Sequence, residues 1–356
     1  MSTYIIAEAG VNHNGSMDMA CELIDVAAEA GADAVKFQTF RADALVAADA
    51  PKADYQLNTT DRGESQADML RALELSPEQH HVIVDHCRER DIQFLSTPFD
   101  ADSARFLVET FDIPRIKIPS GEITNGPLLL HVARFGRPVI LSTGMSTLAE
   151  VEQALSVLAF GYTREEESPR TCDLQRAFAS AEGQAALQNN VTLLHCVTEY
   201  PAPVDTVHLR AMDTLRQAFD LSVGLSDHTL GTAVPIGAVA RGASVVEKHF
   251  TLDTSLPGPD HAASLEPDEL KAMVDGIRDI EAALGTPLKS PRGPEWQNRE
   301  VVRKSLVAAA DIEKGETFTP ENLAVKRPGD GLSPMRYWEY LHQEAHTEYA
   351  EGEQIV

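Results

Sequence analysis

The chain has little positive charge to offer a polyanion. Thirty Lys and Arg stand against 55 Asp and Glu in 356 residues, a formal net charge of −25. Phosphate backbones need clustered cations, so the composition excludes nucleic acid as a partner through general electrostatics and favours a soluble, acidic surface. Long apolar runs are missing as well. No stretch approaches the ~18 residues of a membrane span, and Met1 to Gly10 lacks a basic segment ahead of an apolar core, so a cytoplasmic chain with no membrane partner is expected. Cysteine is scarce: Cys21, Cys87, Cys172 and Cys196 are too scattered for a zinc site and too few for a disulfide scaffold, and they read as reduced thiols. No Gly-x-Gly-x-x-Gly turn follows the first apolar run, which removes the usual dinucleotide signature of an open doubly wound sheet.

What is present is a repeated alternation. Short apolar runs at Tyr4–Ala7, Ala34–Gln38, Ile92–Leu95, Arg115–Ile118, Pro138–Leu141, Val191–Leu194, Leu221–Gly224 and Ser244–Val246 read as strands, each followed by a segment with helical spacing. The helices carry their own punctuation: Ser16 and Gly31 bound the first, and Ser76-Pro77-Glu78 opens another. Eight such units predict a parallel sheet, and the simplest closure is a (β/α)8 TIM barrel with right-handed crossovers. The barrel is expected over residues 1–285, a Pro- and Gly-rich linker over 286–300, and a small domain with short β-prone runs over 301–356. Two stretches leave the rhythm. Arg41 to Gln66, carrying Tyr55, reads as an ordered loop over the site, and the acidic stretch from Thr163 to Asn190 reads as a solvated surface elaboration.

A parallel barrel aims the C-terminal ends of its strands at one face, where side chains from different strands meet. His228 and His249 end two consecutive strands and can share one metal ion. A lone histidine is readily satisfied by backbone, but here apolar runs ending in polar residues recur along the chain. The face is expected to collect Glu8, Lys36, Gln38, Thr97, Lys117, Ser120, Glu122, Ser142, Tyr200, Ser226, His228 and His249. Lys36 and Lys117 lie on buried strands, where an unpaired ammonium is costly. Their partner is either a bound anion or a neighbouring carboxylate such as Glu8. The hydroxyls suit phosphate or carboxylate oxygens, and two imidazoles leave an open coordination shell for a Lewis-acid metal.

Several motifs in order, EAGVNHNG (8–15), KFQT (36–39), STPF (96–99), KIPSGE (117–122), LSTGM (141–145), EYP (199–201), LSDHT (225–229), EKHFT (247–251), GPDH (258–261) and KRPG (326–329), resemble those of the bacterial sialic acid synthases. The resemblance spans nearly the whole chain. It implies a TIM barrel joined to a C-terminal antifreeze-like (SAF) domain in a domain-swapped homodimer. The implied reaction condenses phosphoenolpyruvate with N-acetylmannosamine to N-acetylneuraminate and phosphate, with manganese or magnesium as cofactor. It further implies His228 and His249 as metal ligands, and Lys36, Thr97, Lys117, Ser120, Ser142 and Ser226 as phosphoenolpyruvate contacts. Gln38, Tyr200 and Asp260 would hold the sugar, Glu8 and Glu122 would lie near the reacting carbons, and Arg327 would reach the sugar's N-acetyl group in the partner subunit. A sibling synthase using 2,4-diacetamido-2,4,6-trideoxymannose to make a legionaminic acid shares these motifs, and a metal-dependent hydrolase on the same fold is a further alternative.

Overall fold

The computed structural model describes residues 2–47, 50–52, 65–164 and 168–356. It separates into two units, Met1–Gly285 and Thr286–Val356. In the first, eight strands run parallel: β1 (Tyr4–Gly10), β2 (Ala34–Thr39), β3 (Gln93–Pro98), β4 (Ile116–Ile118), β5 (Val139–Ser142), β6 (Val191–Cys196), β7 (Ser222–Asp227) and β8 (Val245–His249). Hydrogen-bonded neighbours follow the order β3-β2-β1-β8-β7-β6-β5-β4, and β3 lies beside β4. The expected TIM barrel is thus present.

Local chemistry explains the helices. The Ser16 hydroxyl accepts from the Met19 backbone N–H, and Gly31 closes that helix in the left-handed conformation. Ser76 and Gln79 form a reciprocal capping box at Pro77–Glu89. The first helix buries Leu23, Ile24 and Ala27 as an apolar stripe packed into the main core.

The barrel interior is layered by the two-residue period of its strands. Ile6, Ala34, Leu95, Ile140, Leu194 and Val245 pack together as an apolar plug. Two residues further along the same strands stand Glu8, Lys36, Thr97, Ser142, Cys196 and Glu247, which line a cavity above it. The plug excludes water from below, so the polar layer is buried yet open at the C-terminal mouth.

Sequence and structure differ at several boundaries. Strands β3, β5, β6, β7 and β8 extend past their apolar runs, because the polar residues beyond remain in the ladder and turn into the mouth. The acidic stretch at 163–190 is not simply solvated: it forms helices Thr171–Ala179 and Ala181–Asn190, with Ala177 and Leu187 buried and Leu174 and Phe178 packed on the core. Of the excursion after Arg41, helices Ala42–Leu45 and Gln66–Leu73 are described; Tyr55 lies outside the described residues. The segment expected as a linker is partly ordered, since helix Glu295–Val302 occupies its second half.

In the second unit β9 (Ser305–Ala308) and β10 (Leu323–Lys326) pair antiparallel. Leu306, Ala308, Ile312, Phe318, Leu323, Ala345, Tyr349 and Ile355 form a separate small core. Among the described residues no helix is long and apolar enough to cross a membrane.

Candidate active site

The cavity at the barrel mouth has a volume of about 220 Å³. Of the residues expected there, Glu8, Lys36, Gln38, Thr97, Lys117, Ser120, Ser142, Tyr200, Ser226, His228, His249 and Asp260 all line it. Glu122 does not: it sits in a short 3-10 turn and accepts from Asn125 Nδ2 at 2.7 Å, next to the cap of helix Gly126–Ala133. Arg327 is exposed on the second unit.

Both lysines already have carboxylate partners. Lys36 Nζ lies 2.5 Å from Glu8 Oε2 and 3.7 Å from Glu247 Oε2, and it donates to Thr97 Oγ1 at 2.7 Å. Lys117 Nζ donates to Glu247 Oε1 at 3.0 Å, and Ser226 Oγ donates to the same oxygen at 2.9 Å. Glu247 is therefore the hub of the site, and reasoning from strand ends missed it. The signal was available: Glu247 stands two residues before His249 on one strand, which puts both on the same face.

The lysines split the two carboxylates, both of which burial pushes upward. Glu8 is 2% exposed, and its pKa is raised to about 7, chiefly by loss of solvation, with Lys36 opposing and Glu247 reinforcing the rise. For Glu247 burial also raises the pKa, but Lys117 and Lys36 outweigh it and hold the group at about 2. Asp260, buried near the imidazoles, is pushed up to about 6 by burial.

The ring centroids of His228 and His249 are 5.6 Å apart, and Tyr200 lies against both, 4.1 Å from His228 and 5.7 Å from His249. His228 Nδ1–H donates to the Val197 carbonyl at 2.7 Å, so Nε2 is the nitrogen that can ligate once the ring gives up its proton; against burial, Cys196 and the Val197 carbonyl raise its pKa above the usual imidazole value. His249 is held neutral by burial and by its cationic neighbours, and its buried Nδ1 has no hydrogen-bond partner among the described residues. An orphaned imidazole nitrogen beside a second imidazole fits a divalent cation. No cluster of three His, Cys, Asp or Glu suited to a metal occurs among the described residues, so the donor set fits a shell completed by water or substrate.

Two glycines make this packing possible. Gly10 (φ 54°) follows a bulge after Glu8, and a Cβ there would lie 3.3 Å from His249 and 3.4 Å from both Gln38 and Glu8. At Gly144 a Cβ would fall 2.3 Å from Thr198 Oγ1 and 2.7 Å from Ser120 Oγ. Its absence lets the Gly144 N–H donate to Ser120 at 3.0 Å. Thr198 and Phe99 also line the cavity, and neither was expected there.

A closed parallel barrel whose mouth gathers two lysines, three buried carboxylates and two imidazoles is the architecture of a barrel enzyme. More particularly, the chain belongs to the NeuB family, whose sequence profile matches residues 23–289, and residues 303–355 match the SAF domain. The N,N'-diacetyllegionaminic acid synthase of Campylobacter jejuni is 48% identical over 353 residues, covering 99% of this chain and 98% of that protein. That of Legionella pneumophila is 46% identical over 334 residues, covering 94% and 88%. Among solved structures, the N-acetylneuraminic acid (sialic acid) synthetase of Leptospira borgpetersenii superposes with a TM-score of 0.67 at 30% identity, covering 84% of this chain and 90% of that one.

Proposed function

We propose that the chain condenses phosphoenolpyruvate with 2,4-diacetamido-2,4,6-trideoxymannose to give N,N'-diacetyllegionaminic acid and inorganic phosphate. The chemistry rests on one observation: two buried lysines share Glu247 in a cavity that also holds a pair of imidazoles. The sugar rests on the 48% identity to a legionaminic acid synthase over nearly the full length of both chains. N-acetylmannosamine, the sugar implied by the motifs alone, becomes the second reading; the likeness at 30% identity to a sialic acid synthetase favours it.

In this reading an entering phosphoenolpyruvate takes over the charge of Lys36 and Lys117, with Thr97, Ser120 and Ser142 donating to its oxygens and Ser226 turning its hydroxyl to them from Glu247. Ser142 Oγ is buried and unpartnered among the described residues, which leaves it available for such a bond. Gln38, Tyr200 and Asp260 hold the amino sugar. His228 and His249 would hold a divalent cation, manganese or magnesium, which when bound would supply Lewis acidity towards the sugar aldehyde. C3 of phosphoenolpyruvate bonds to the aldehyde carbon and the aldehyde oxygen gains a proton. Water adds at C2 and loses a proton, for which Glu8 is a carboxylate inside the cavity; the bond from C2 to the phosphate oxygen then breaks as the new C2 hydroxyl becomes the ketone, its proton leaving with phosphate. The lysines balance the anionic charge throughout. Arg327 belongs to a sugar bound in the partner subunit of a domain-swapped homodimer.

The test is phosphate release from phosphoenolpyruvate with manganese and each of the two sugars in turn. Release that requires both substrates and is more efficient with the diacetamido sugar supports the reading. A hydrolase would act without phosphoenolpyruvate, and that result would overturn it.

A further inference from the structure

On the side of the sheet facing away from the cavity, Lys248 and Asp227 form a second buried ion pair that the proposed chemistry does not use. Lys248 is 0% exposed and Asp227 2%. Lys248 Nζ donates to Asp227 Oδ2 at 2.6 Å and also to the Thr229 carbonyl. The Asp227 carboxylate accepts from the Thr229 N–H and the Thr229 hydroxyl, each at 3.1 Å. Asp227 and Lys248 are register partners across β7 and β8, and they are the last pair of that ladder.

Their place in the chain gives this network its meaning. His228 follows Asp227 and His249 follows Lys248. Past the last rung, the β7–β8 ladder no longer fixes where His228 lies. Lys248 instead grips the residue on each side of it, Asp227 through the carboxylate and Thr229 through the backbone carbonyl, while the Asp227 side chain closes the turn around it. The bond from His228 Nδ1 to the Val197 carbonyl orients the ring, and the Ala202 N–H donates to the His228 carbonyl at 2.9 Å; the ion pair is the contact that ties the residues on either side of His228 to the strand carrying His249. A buried pair of this kind carries a heavy desolvation cost for a modest net gain in stability, and fixing a geometry is one recognised use.

We propose that Lys248 and Asp227 are positioning residues that set the spacing of the His228 and His249 imidazoles, and through it the affinity of the site for a divalent cation. This rests on the reading of the two histidines as metal ligands. The single variant Lys248→Met strands a buried carboxylate and is expected to lose the fold. The informative protein is therefore the double variant Asp227→Asn with Lys248→Met, which removes both charges together.

The experiment titrates Mn2+ into wild type and double variant, following free Mn2+ by electron paramagnetic resonance. Phosphoenolpyruvate binding is measured by calorimetry without metal, and circular dichroism checks that both proteins are folded. Loss of an outer-shell partner typically costs 10–100-fold in metal affinity, so Mn2+ binding should weaken by about that factor while phosphoenolpyruvate binding changes less than about threefold. A merely structural pair would weaken both ligands together or neither, and either result overturns the proposal while leaving the metal reading intact. If wild type itself takes up no Mn2+, or takes it up equally well as His249→Ala, the metal reading fails and this proposal falls with it.

Discussion

Replacing Glu247 with Gln tests the electrostatics of the site directly. The substitution keeps an oxygen for Ser226 but removes the negative charge that faces Lys117 at 3.0 Å and Lys36 at 3.7 Å. Removing one partner of a buried ion pair typically costs 3–5 kcal/mol, because the remaining charge stays in a poorly solvated place. A domain of this size loses roughly 2–4 °C in Tm per kcal/mol, so the melting temperature should fall by roughly 6–20 °C. The fall should also be selectively repaired. In the variant the ion pair left to the two ammoniums, among the described residues, is that of Lys36 with Glu8, so an added anion replaces a missing charge, and stabilisation by ligand grows as RT ln(1 + [L]/Kd). Differential scanning fluorimetry with and without phosphate should therefore show a larger upward shift for the variant than for wild type, while synthesis is lost. A decrease of under about 2 °C, or equal phosphate shifts in both proteins, would refute the assignment of Glu247 as the shared counter-charge.

Either His228→Ala or His249→Ala should abolish metal-dependent turnover with the circular dichroism spectrum unchanged; full activity in a metal titration after chelation would sink the ligand assignment. His13 is fully buried and its pKa is lowered to about 4, first by burial and then by His80 and His261. Between an unfolded value near 6.5 and about 4, the unfolded chain binds a proton that the folded chain refuses, so stability falls as pH falls, by about 3 kcal/mol over that window. Urea unfolding at several pH values should show a shallower acid limb for His13→Gln, and an unchanged slope would contradict this. Finally, co-expression of Arg327→Ala with His249→Ala should restore up to about half of the activity expected of two independent sites if sites are shared across a two-fold dimer. No recovery is the result expected of self-contained chains.

The parts of this molecule visible in the sequence are those governed by local rules. Apolar runs of three to five residues between helical segments give the eight barrel strands, and Ser16, Gly31 and Ser76 mark helix ends through their own hydrogen bonds or dihedrals. Strand ends are harder to see. Ser226, Asp227, Glu247 and Lys248 are polar, yet they stay in the ladder because they pair across it, Ser226 with Glu247 in the mouth and Asp227 with Lys248 behind the sheet. Composition misled at residues 163–190, where many acidic and amide groups mask Leu174, Ala177 and Phe178 at helical spacing. Most of the candidate site followed once a barrel was assumed, since strand ends converge in that fold. The partners within it did not follow: that Lys36 and Lys117 share Glu247, and that Glu122 turns to Asn125, depends on side-chain geometry with no sequence period.

Which sugar this barrel accepts is measured most directly by a competition. Equal concentrations of N-acetylmannosamine and 2,4-diacetamido-2,4,6-trideoxymannose are offered with limiting phosphoenolpyruvate and manganese, and both acid products are quantified by mass spectrometry alongside phosphate. N,N'-diacetyllegionaminic acid should exceed N-acetylneuraminate by roughly tenfold or more, with phosphate released in equal amount to total product. N-acetylneuraminate as the main product would contradict the account.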